Sequence, residues 1–150
     1  DTALLLVGVS GWKADALFNT IIDKVGEGYD IIRPNKYVSD NDKPAIISGA
    51  SLLVYPSHYE GFGMPPLEAL ACGVPVITSD NSSLPEVVEG VGTMVDVSDG
   101  NDQLSEALAN AMRNIDTLKE KALTEGPQRA SEFSWKHSAQ VFFDLVESKS

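Results

Sequence analysis

The stretch that decides the fold is residues 52–71, which read LLVYPSHYEGFGMPPLEALA. The apolar run 52–55 predicts a short buried strand. The run from Pro65 predicts a helix, because proline is tolerated in the first helical turn. Between them lies a loop with two glycines, two aromatic residues and a carboxylate. A strand followed closely by a helix is the start of a βαβ unit, so this stretch predicts a parallel sheet with crossover helices.

Short apolar runs alternate with helical patterns along the rest of the chain. Such short aliphatic runs are typical of parallel strands that helices bury on both faces. We therefore predict an α/β fold with five parallel strands in one doubly wound sheet. The predicted strands are 3–9, 30–33, 52–55, 74–78 and 93–95. The predicted helices are 13–25, 44–48, 65–71, 84–88, 102–113, 115–125 and 135–147.

Two junctions carry helix-start signals. Residues 39–42, SDND, form a cluster of N-cap residue types before a short predicted helix. Residues 82–86, SSLPE, have the serine and glutamate spacing of a capping box, in which the serine hydroxyl accepts a backbone N–H of the helix.

Composition narrows the class of protein. The chain has 150 residues, of which 43 % are hydrophobic and 22 % charged, as expected for one soluble globular domain. The formal net charge of −11 repels phosphate backbones, which argues against a nucleic-acid partner. The single cysteine, Cys72, rules out an intramolecular disulfide and is interpreted as buried packing. Without a visible signal peptide or membrane-spanning run, we expect a cytoplasmic protein.

The loop after 52–55 is the candidate site, because ligands bind beyond the carboxyl ends of strands in open α/β sheets. Gly61 and Gly63 allow unusual backbone angles and close approach of a ligand. The adjoining helix start suits an anion. Pro65 and Pro66 have no N–H. The amides of Gly63 and Met64 are therefore the predicted contacts to phosphate or sugar.

This segment carries two carboxylates, Glu60 in the loop before the helix and Glu68 about one turn into the helix. Ionised carboxylates only accept hydrogen bonds, which suits them to hydroxyl-rich groups such as a ribose or a hexose. The residues alone leave another interpretation open, in which Glu60 is solvated and Glu68 only interacts with the helix dipole.

Residues 60–68, EGFGMPPLE, resemble the glutamate, seven residues, glutamate motif of the retaining glycosyltransferases of family 4, which have the two-domain GT-B fold. The likeness extends over segments 37–40, 48–50, 54–57, 69–79, 84–88 and 133–135. The resemblance implies that residues 1–150 are one Rossmann-like, three-layer, donor-binding C-terminal domain of a mannosyltransferase-like enzyme. It also implies a fragment that lacks its first strand and an N-terminal acceptor domain.

The resemblance also assigns roles to residues of the loop. It implies that Glu60 is the catalytic residue, contacting donor sugar hydroxyls near the reacting centre. We interpret this role as positioning; whether Glu60 acts as a nucleophile stays open. The backbone at Gly61, Phe62, Gly63 and Met64 would cradle sugar and phosphate. Further roles are implied for Glu68, which would bind the ribose, and for Tyr37 and Val38, which would lie near the base.

The implied reaction moves a hexose of mannose or glucose type, with retention, from a GDP-sugar or UDP-sugar to a glycan or lipid-linked acceptor. No metal and no other cofactor is implied. Polysaccharide and glycolipid synthesis both fit, as does membrane association of the intact protein. In the family, an arginine and a lysine near the first strand hold the diphosphate, and the chain has neither. We therefore expect the chain alone to be inactive and to bind donor weakly.

Two alternatives stay open. The first is a non-catalytic module that binds a nucleotide sugar without transferring it. The second is a nucleotide-sugar epimerase of GT-B fold. We favour it less than the glycosyltransferase, because the epimerase family does not carry the paired-glutamate motif that begins Glu-Gly-Phe-Gly. A redox enzyme of Rossmann fold is disfavoured, since no Gly-x-Gly-x-x-Gly opens the first predicted helix.

Overall fold

The computed structural model describes residues 2–8, 11, 14–34, 37–98, 100 and 102–148. The chain divides into two compact units, Asp1–Lys43 and Pro44–Ser150. The predicted strand end at Val9 and the predicted helix start at Lys13 lie outside the described residues.

Among its described residues, the first unit contains two short parallel strands and one helix. Its elements are β1 (Leu4–Leu5), α1 (Asp15–Gly26) and β2 (Ile31–Ile32). Leu4 pairs with Ile31 and Leu5 with Ile32. Helix α1 packs on β2, yet Leu4 is 51 % exposed and Leu5 41 %. The prediction of burial on both faces was therefore wrong for β1, because among the described residues of this unit α1 is the helix that packs on the strand pair.

The second unit contains a three-stranded parallel sheet and most of the helices. The elements from Lys43 onward are α2 (Lys43–Gly49), β3 (Leu53–Tyr55), α3 (Met64–Ala71), β4 (Val76–Ser79), α4 (Leu84–Val88), β5 (Thr93–Val95), α5 (Asp102–Arg113), α6 (Ile115–Ser131) and α7 (Trp135–Glu147). The strand order is β3-β4-β5. Val54 lies opposite Ile77, and Thr78 lies opposite Met94.

All the predicted helices and strands have counterparts in the structure, which confirms the α/β class. The sheet prediction needs a correction, because the five strands form two hydrogen-bonded sheets rather than one. Each ladder joins strands that follow one another in the chain and that one crossover helix connects.

Strand β4 is the centre of the second unit, and all four of its residues are buried. Val76 packs in a cluster with Ala69 and Leu70 of α3 and with Val87 and Val88 of α4. Its neighbour Ile77 packs in another cluster, with Val95, Val97 and Ala111. Because consecutive strand residues point to opposite faces, these clusters form two apolar layers, one on each side of the sheet. Cys72, half-buried after α3, packs against the first cluster.

Helix α6 runs six residues beyond its predicted end at residue 125, to Ser131, and continues through Gly126 and Pro127. Tertiary contacts explain the extension. A Cβ on Gly126 would lie 2.6 Å from the carbonyl oxygen of Leu70, so the missing side chain lets α6 approach the backbone of α3 closely. One turn further, the guanidinium of Arg129 donates to the carbonyls of Glu86 and Val87. These carbonyls lie at the end of α4, where they lack partners within the helix.

Helix α7 is exposed along its length. Ser134 caps it by accepting the N–H of His137 at 3.1 Å. Trp135 is 89 % exposed, and Phe142 and Phe143 are exposed as well. In the part of the chain that the structure describes, no helix combines the length and the apolar character needed to cross a membrane.

The close approach of α6 to α3 can be tested by adding a side chain at Gly126. Alanine usually stabilises a helix relative to glycine, but here its Cβ would meet the Leu70 carbonyl. We expect Gly126→Ala to lower the free energy of unfolding by about 1–3 kcal/mol. Urea unfolding followed by circular dichroism measures this change. The control is Gly49→Ala, whose Cβ would meet nothing within 4 Å. Equal stability of the two variants would contradict the packing described here.

Candidate functional site

The predicted site loop, residues 56–63, connects β3 to α3. The segment 80–83 connects β4 to α4. Because β3 and β4 are parallel neighbours, their carboxyl ends lie at the same edge of the sheet, so these two connections lie side by side. The segment after β4 therefore sets the backbone position of the loop after β3.

Side chains at the end of β4 hold the start of the loop. The hydroxyl of Ser79, a fully buried side chain, donates to the carbonyl of Ser57. The Nδ2 of Asn81 donates to the same carbonyl at 3.3 Å. The first turn of the loop is thus attached to the central strand of the sheet.

Two consecutive serines hold the middle of the loop. The backbone N–H of Glu60 donates to Ser82 Oγ at 3.0 Å. Ser83 Oγ lies within hydrogen-bonding distance of two carbonyl oxygens, those of Glu60 at 3.0 Å and Phe62 at 2.8 Å, which share its single hydroxyl hydrogen. Ser82 has a φ of 51°, which is uncommon for a residue other than glycine. The hydrogen bonds around Glu60 and Phe62 compensate for this backbone strain.

The capping-box prediction for residues 82–86 was wrong. Ser83 does occupy the N-cap position of α4, but its hydroxyl makes no capping bond to that helix. It bonds to loop carbonyls instead. A local serine and glutamate spacing could not show this, because the competing acceptors lie more than 20 residues earlier in the chain.

The Glu60 carboxylate has one side-chain partner that the sequence analysis did not predict. Tyr55, the last residue of β3, donates its hydroxyl to Glu60 Oε1 at 2.7 Å. Both residues are half-buried. Glu60 is therefore held by its backbone and by its carboxylate, so the interpretation of Glu60 as a freely solvated side chain is wrong.

This contact also changes the acidity of the tyrosine. Burial raises the pKa of Tyr55 to about 12, and the hydrogen bond to Glu60 and its negative charge act in the same direction. Each of these causes disfavours the charged phenolate. Tyr55 therefore remains a protonated donor at neutral pH. Through this raised pKa, the protonated Tyr55 contributes to the free energy of unfolding. The contribution is fully present below pH 10, the ordinary tyrosine pKa, and is lost as the pH rises towards 12.

Gly63 has the backbone role that the sequence predicted, whereas Gly61 does not. Gly63 has a φ of 110°, in the left-handed region, and a Cβ there would lie 2.8 Å from Leu84 Cδ2. Gly61 has no positive φ and lies in open space. Gly63 precedes α3, whose first bond within the helix runs from the N–H of Leu67 to the Gly63 carbonyl.

The start of α3 offers few donors. Met64 is its first residue, and Pro65 and Pro66 follow. Of the first three residues of α3, only Met64 has an N–H, and that N–H has no partner within the helix. An anion at this helix end would therefore meet the Met64 amide first.

The remaining predicted residues lie in different places. Glu68 is half-buried on α3, in the same unit as Glu60. Tyr37, which is 72 % exposed, and the half-buried Val38 belong to the first unit. The contacts described for the loop all come from the second unit.

Phe62 connects the loop to the end of α6. Its ring meets Phe133 edge to face, with 5.6 Å between the centroids. The guanidinium of Arg129 lies 5.0 Å from the Phe133 centroid on the same ring. Phe62 thus makes a packing contact in addition to its predicted backbone role.

Two features outside the loop also bear on ligand binding. Among the described residues, no group of three or more histidine, cysteine or acidic side chains is arranged to hold a metal ion. A groove of about 420 Å³ lies between β5 and α5, away from the loop. It is lined by Thr93, Met94, Val95, Gln103, Glu106, Ala107, Asn110 and Arg113.

The chain is similar to known proteins in sequence. The family model for glycosyl transferases group 1 matches residues 2–128. The chain is 41 % identical over 134 residues to O-antigen chain mannosyltransferase B of Escherichia coli. That alignment covers 89 % of this chain and 34 % of the relative, so the chain spans about a third of that protein's length.

Solved structures share the fold. Anabaena Alr3699/HepE, crystallised with UDP-glucose, superposes with a TM-score of 0.78 at 17 % identity, covering 97 % of this chain and 41 % of that one. Sucrose-phosphate synthase of Thermosynechococcus elongatus superposes with a TM-score of 0.76 at 28 % identity, covering 97 % of this chain and 39 % of that one. These neighbours confirm the predicted Rossmann-like fold of a GT-B glycosyltransferase domain.

The contact of the Ser83 hydroxyl with the loop carbonyls can be tested by substitution. Ser83→Ala leaves the carbonyls of Glu60 and Phe62 without this donor. We expect a loss of about 1 kcal/mol in the free energy of unfolding and faster hydrogen exchange at the amides of residues 60–63. Ser105→Ala, on an exposed position of α5, is the control. Unchanged exchange in Ser83→Ala would show that the hydroxyl does not hold the loop.

Proposed function

Since the chain belongs to the glycosyl transferases group 1 family, we propose that it provides the donor-binding half of a retaining hexosyltransferase, of family 4 and GT-B type. The observation that carries this proposal is the held loop: Glu60 lies at the carboxyl edge of a parallel sheet with both its backbone and its carboxylate restrained. Ligands of open α/β sheets bind at this edge. In this proposal residues 1–150 come from the C-terminal domain.

The donor in this proposal is a nucleoside diphosphate hexose. A mannose donor is favoured by the relative that is 41 % identical and named a mannosyltransferase. A UDP-sugar is the other candidate, because the HepE protein of the same fold was crystallised with UDP-glucose. The proposal needs no metal or other cofactor.

Each loop residue has a role in the proposal. The free oxygen of the Glu60 carboxylate accepts hydrogen bonds from donor sugar hydroxyls, which places the anomeric carbon. The backbone at Gly61, Phe62 and Gly63 lines the sugar and diphosphate, and the Met64 amide donates to a phosphate oxygen. Glu68 binds the ribose hydroxyls, since a carboxylate can accept from both. Tyr37 and Val38 are proposed to lie near the base.

The reaction in this proposal breaks the bond between the anomeric carbon and the diphosphate and forms a bond from that carbon to an acceptor hydroxyl oxygen, whose proton is released with the nucleoside diphosphate. The leaving diphosphate gains negative charge, which fixed donors such as the Met64 amide stabilise electrostatically. The net charge of −11 works against a diphosphate, so we propose that cations outside residues 1–150 complete the site.

The acceptor is proposed to be a growing glycan or a lipid-linked sugar, used in polysaccharide synthesis. The support is the relative's name, an O-antigen chain mannosyltransferase. Because the chain spans 34 % of that relative, we propose that the rest of the intact protein supplies the acceptor side. A cytoplasmic location, at a membrane when the acceptor is lipid-linked, is part of the same proposal.

In the intact protein, removing the Glu68 carboxylate and removing the Glu60 carboxylate are expected to change different kinetic and binding constants. Glu68→Ala should raise the Kd for donor roughly tenfold to hundredfold, the range for lost hydrogen bonds to a charged group. Glu60→Ala should chiefly lower kcat, because it orients the reacting sugar. Calorimetry and initial rates separate the two effects. Glu120→Ala, an exposed carboxylate on α6, is the control. Equal loss of thermal stability in both site variants would mean that these carboxylates are structural.

An NMR titration of the isotope-labelled chain identifies the base. With GDP, UDP, GDP-mannose and UDP-glucose, shifts should cluster on the amides of Gly61, Gly63, Met64 and Glu68, and near Tyr37. We expect millimolar affinity, corresponding to about −4 kcal/mol, because the added cations are absent. Micromolar affinity would contradict the need for cations from outside residues 1–150. Shifts confined to other surfaces would contradict the donor site itself.

A further inference from the structure

Tyr55 is the only side chain with a hydrogen bond to the Glu60 carboxylate among the contacts described for this loop. We propose that Tyr55 is a positioning residue for sugar transfer, holding Glu60 Oε1 so that Oε2 accepts from a donor hydroxyl. This inference rests on the proposed function, and it adds a residue outside the paired-glutamate motif.

Both ends of the contact are attached to the sheet. Tyr55 is paired in the β3-β4 ladder opposite Thr78, a fully buried residue. The Glu60 backbone is held through its N–H by Ser82 and through its carbonyl by Ser83. The Tyr55 bond therefore fixes the glutamate side chain relative to β3, and its 2.7 Å length leaves little freedom at Oε1.

The chemistry of the pair divides the two carboxylate oxygens between two tasks. A tyrosine hydroxyl donates one hydrogen, so it occupies one oxygen, and an ionised carboxylate can only accept. The other oxygen remains available for a sugar hydroxyl. Because burial and the glutamate raise the pKa of Tyr55 to about 12, the hydroxyl keeps its proton throughout the neutral range. The restraint therefore does not switch off with ordinary changes of pH.

A purely structural role for the bond is disfavoured by the other contacts of the loop. The backbone is already held by Ser79, Asn81, Ser82 and Ser83. Removing the Tyr55 hydroxyl leaves all of these bonds and the aromatic ring in place. What changes is the freedom of the carboxylate.

The kinetic test uses Tyr55→Phe in the intact protein with the donor that the wild type transfers. We expect kcat to fall roughly tenfold to hundredfold, the cost of misplacing a reacting group, with the KM for donor changed much less. The control Tyr29→Phe alters an exposed ring in the first unit and should keep wild-type kinetics. In a Glu60→Ala background, Tyr55→Phe should cause no further loss, because it acts through that carboxylate.

A spectroscopic test addresses the contact without activity. The chain has four tyrosines, and alkaline titration of tyrosinate absorbance should show one that ionises near pH 12. Tyr55→Phe should remove this late component, and Glu60→Ala should move it to lower pH. Circular dichroism at each pH checks that the fold persists.

The outcomes separate the inference from the proposed function. A wild type that transfers no sugar refutes the proposed function, and the role of Tyr55 in transfer falls with it. An active wild type with unchanged kcat in Tyr55→Phe refutes the positioning role alone. The same holds if the late tyrosine is unaffected by Glu60→Ala, or if Tyr55→Phe and Glu60→Ala losses multiply. Lower kcat, little change in KM and no added loss in the double variant support it.

Discussion

The pairing of β3 with β4 is the interaction on which the candidate site depends. Parallel pairing aligns the carboxyl ends of the two strands, so the connections that follow them become neighbours. The serine-rich segment after β4 can then bond to the carbonyls and the N–H of the loop after β3. Without this ladder, Ser82 and Ser83 would not lie beside Glu60, from which they are more than 20 positions away in the chain. The loop that carries Glu60 would then lack these hydrogen bonds.

Packing around β4 makes the ladder rigid. Helices α3 and α4 cover one face of the strand, and the second apolar cluster covers the other. Helix α6 packs closely against the α3 backbone at Gly126. Its Arg129 donates to carbonyls near the end of α4. Arg129 also stacks on Phe133, which meets Phe62 of the loop. Arg129, far along the chain from the site, thus supports α4 directly and the loop through Phe133.

The start of α3 shows how local chemistry restricts what the site can bind. Two prolines remove N–H groups from the first turn, so this helix end presents less to an anion than a helix start usually does. Gly63 adopts a left-handed φ and packs where a Cβ would meet Leu84. The prolines therefore leave few amides of α3 for an anionic ligand, and the glycine meets a packing requirement within the second unit. The nucleotide sugar proposed above would therefore need other groups to balance its charge.

Hydrophobic periodicity and the residues that begin and end helices are local signals, so they predicted the order and type of the secondary elements, including the bounds of α4, α5, α7 and β5. The sequence also located the loop that contains Glu60, the helix that carries Glu68, and an unusual backbone angle at Gly63. Four other features could not be predicted locally: the acceptors of Ser83, the contact of Tyr55 with Glu60, the continuation of α6 past Gly126 and Pro127, and the two hydrogen-bonded sheets. Each of these depends on partners distant in the chain or on the pairing of strand edges. The physical reason is that hydrogen-bond acceptors and close backbone approaches are supplied by neighbouring elements, which no local spacing of residue types records.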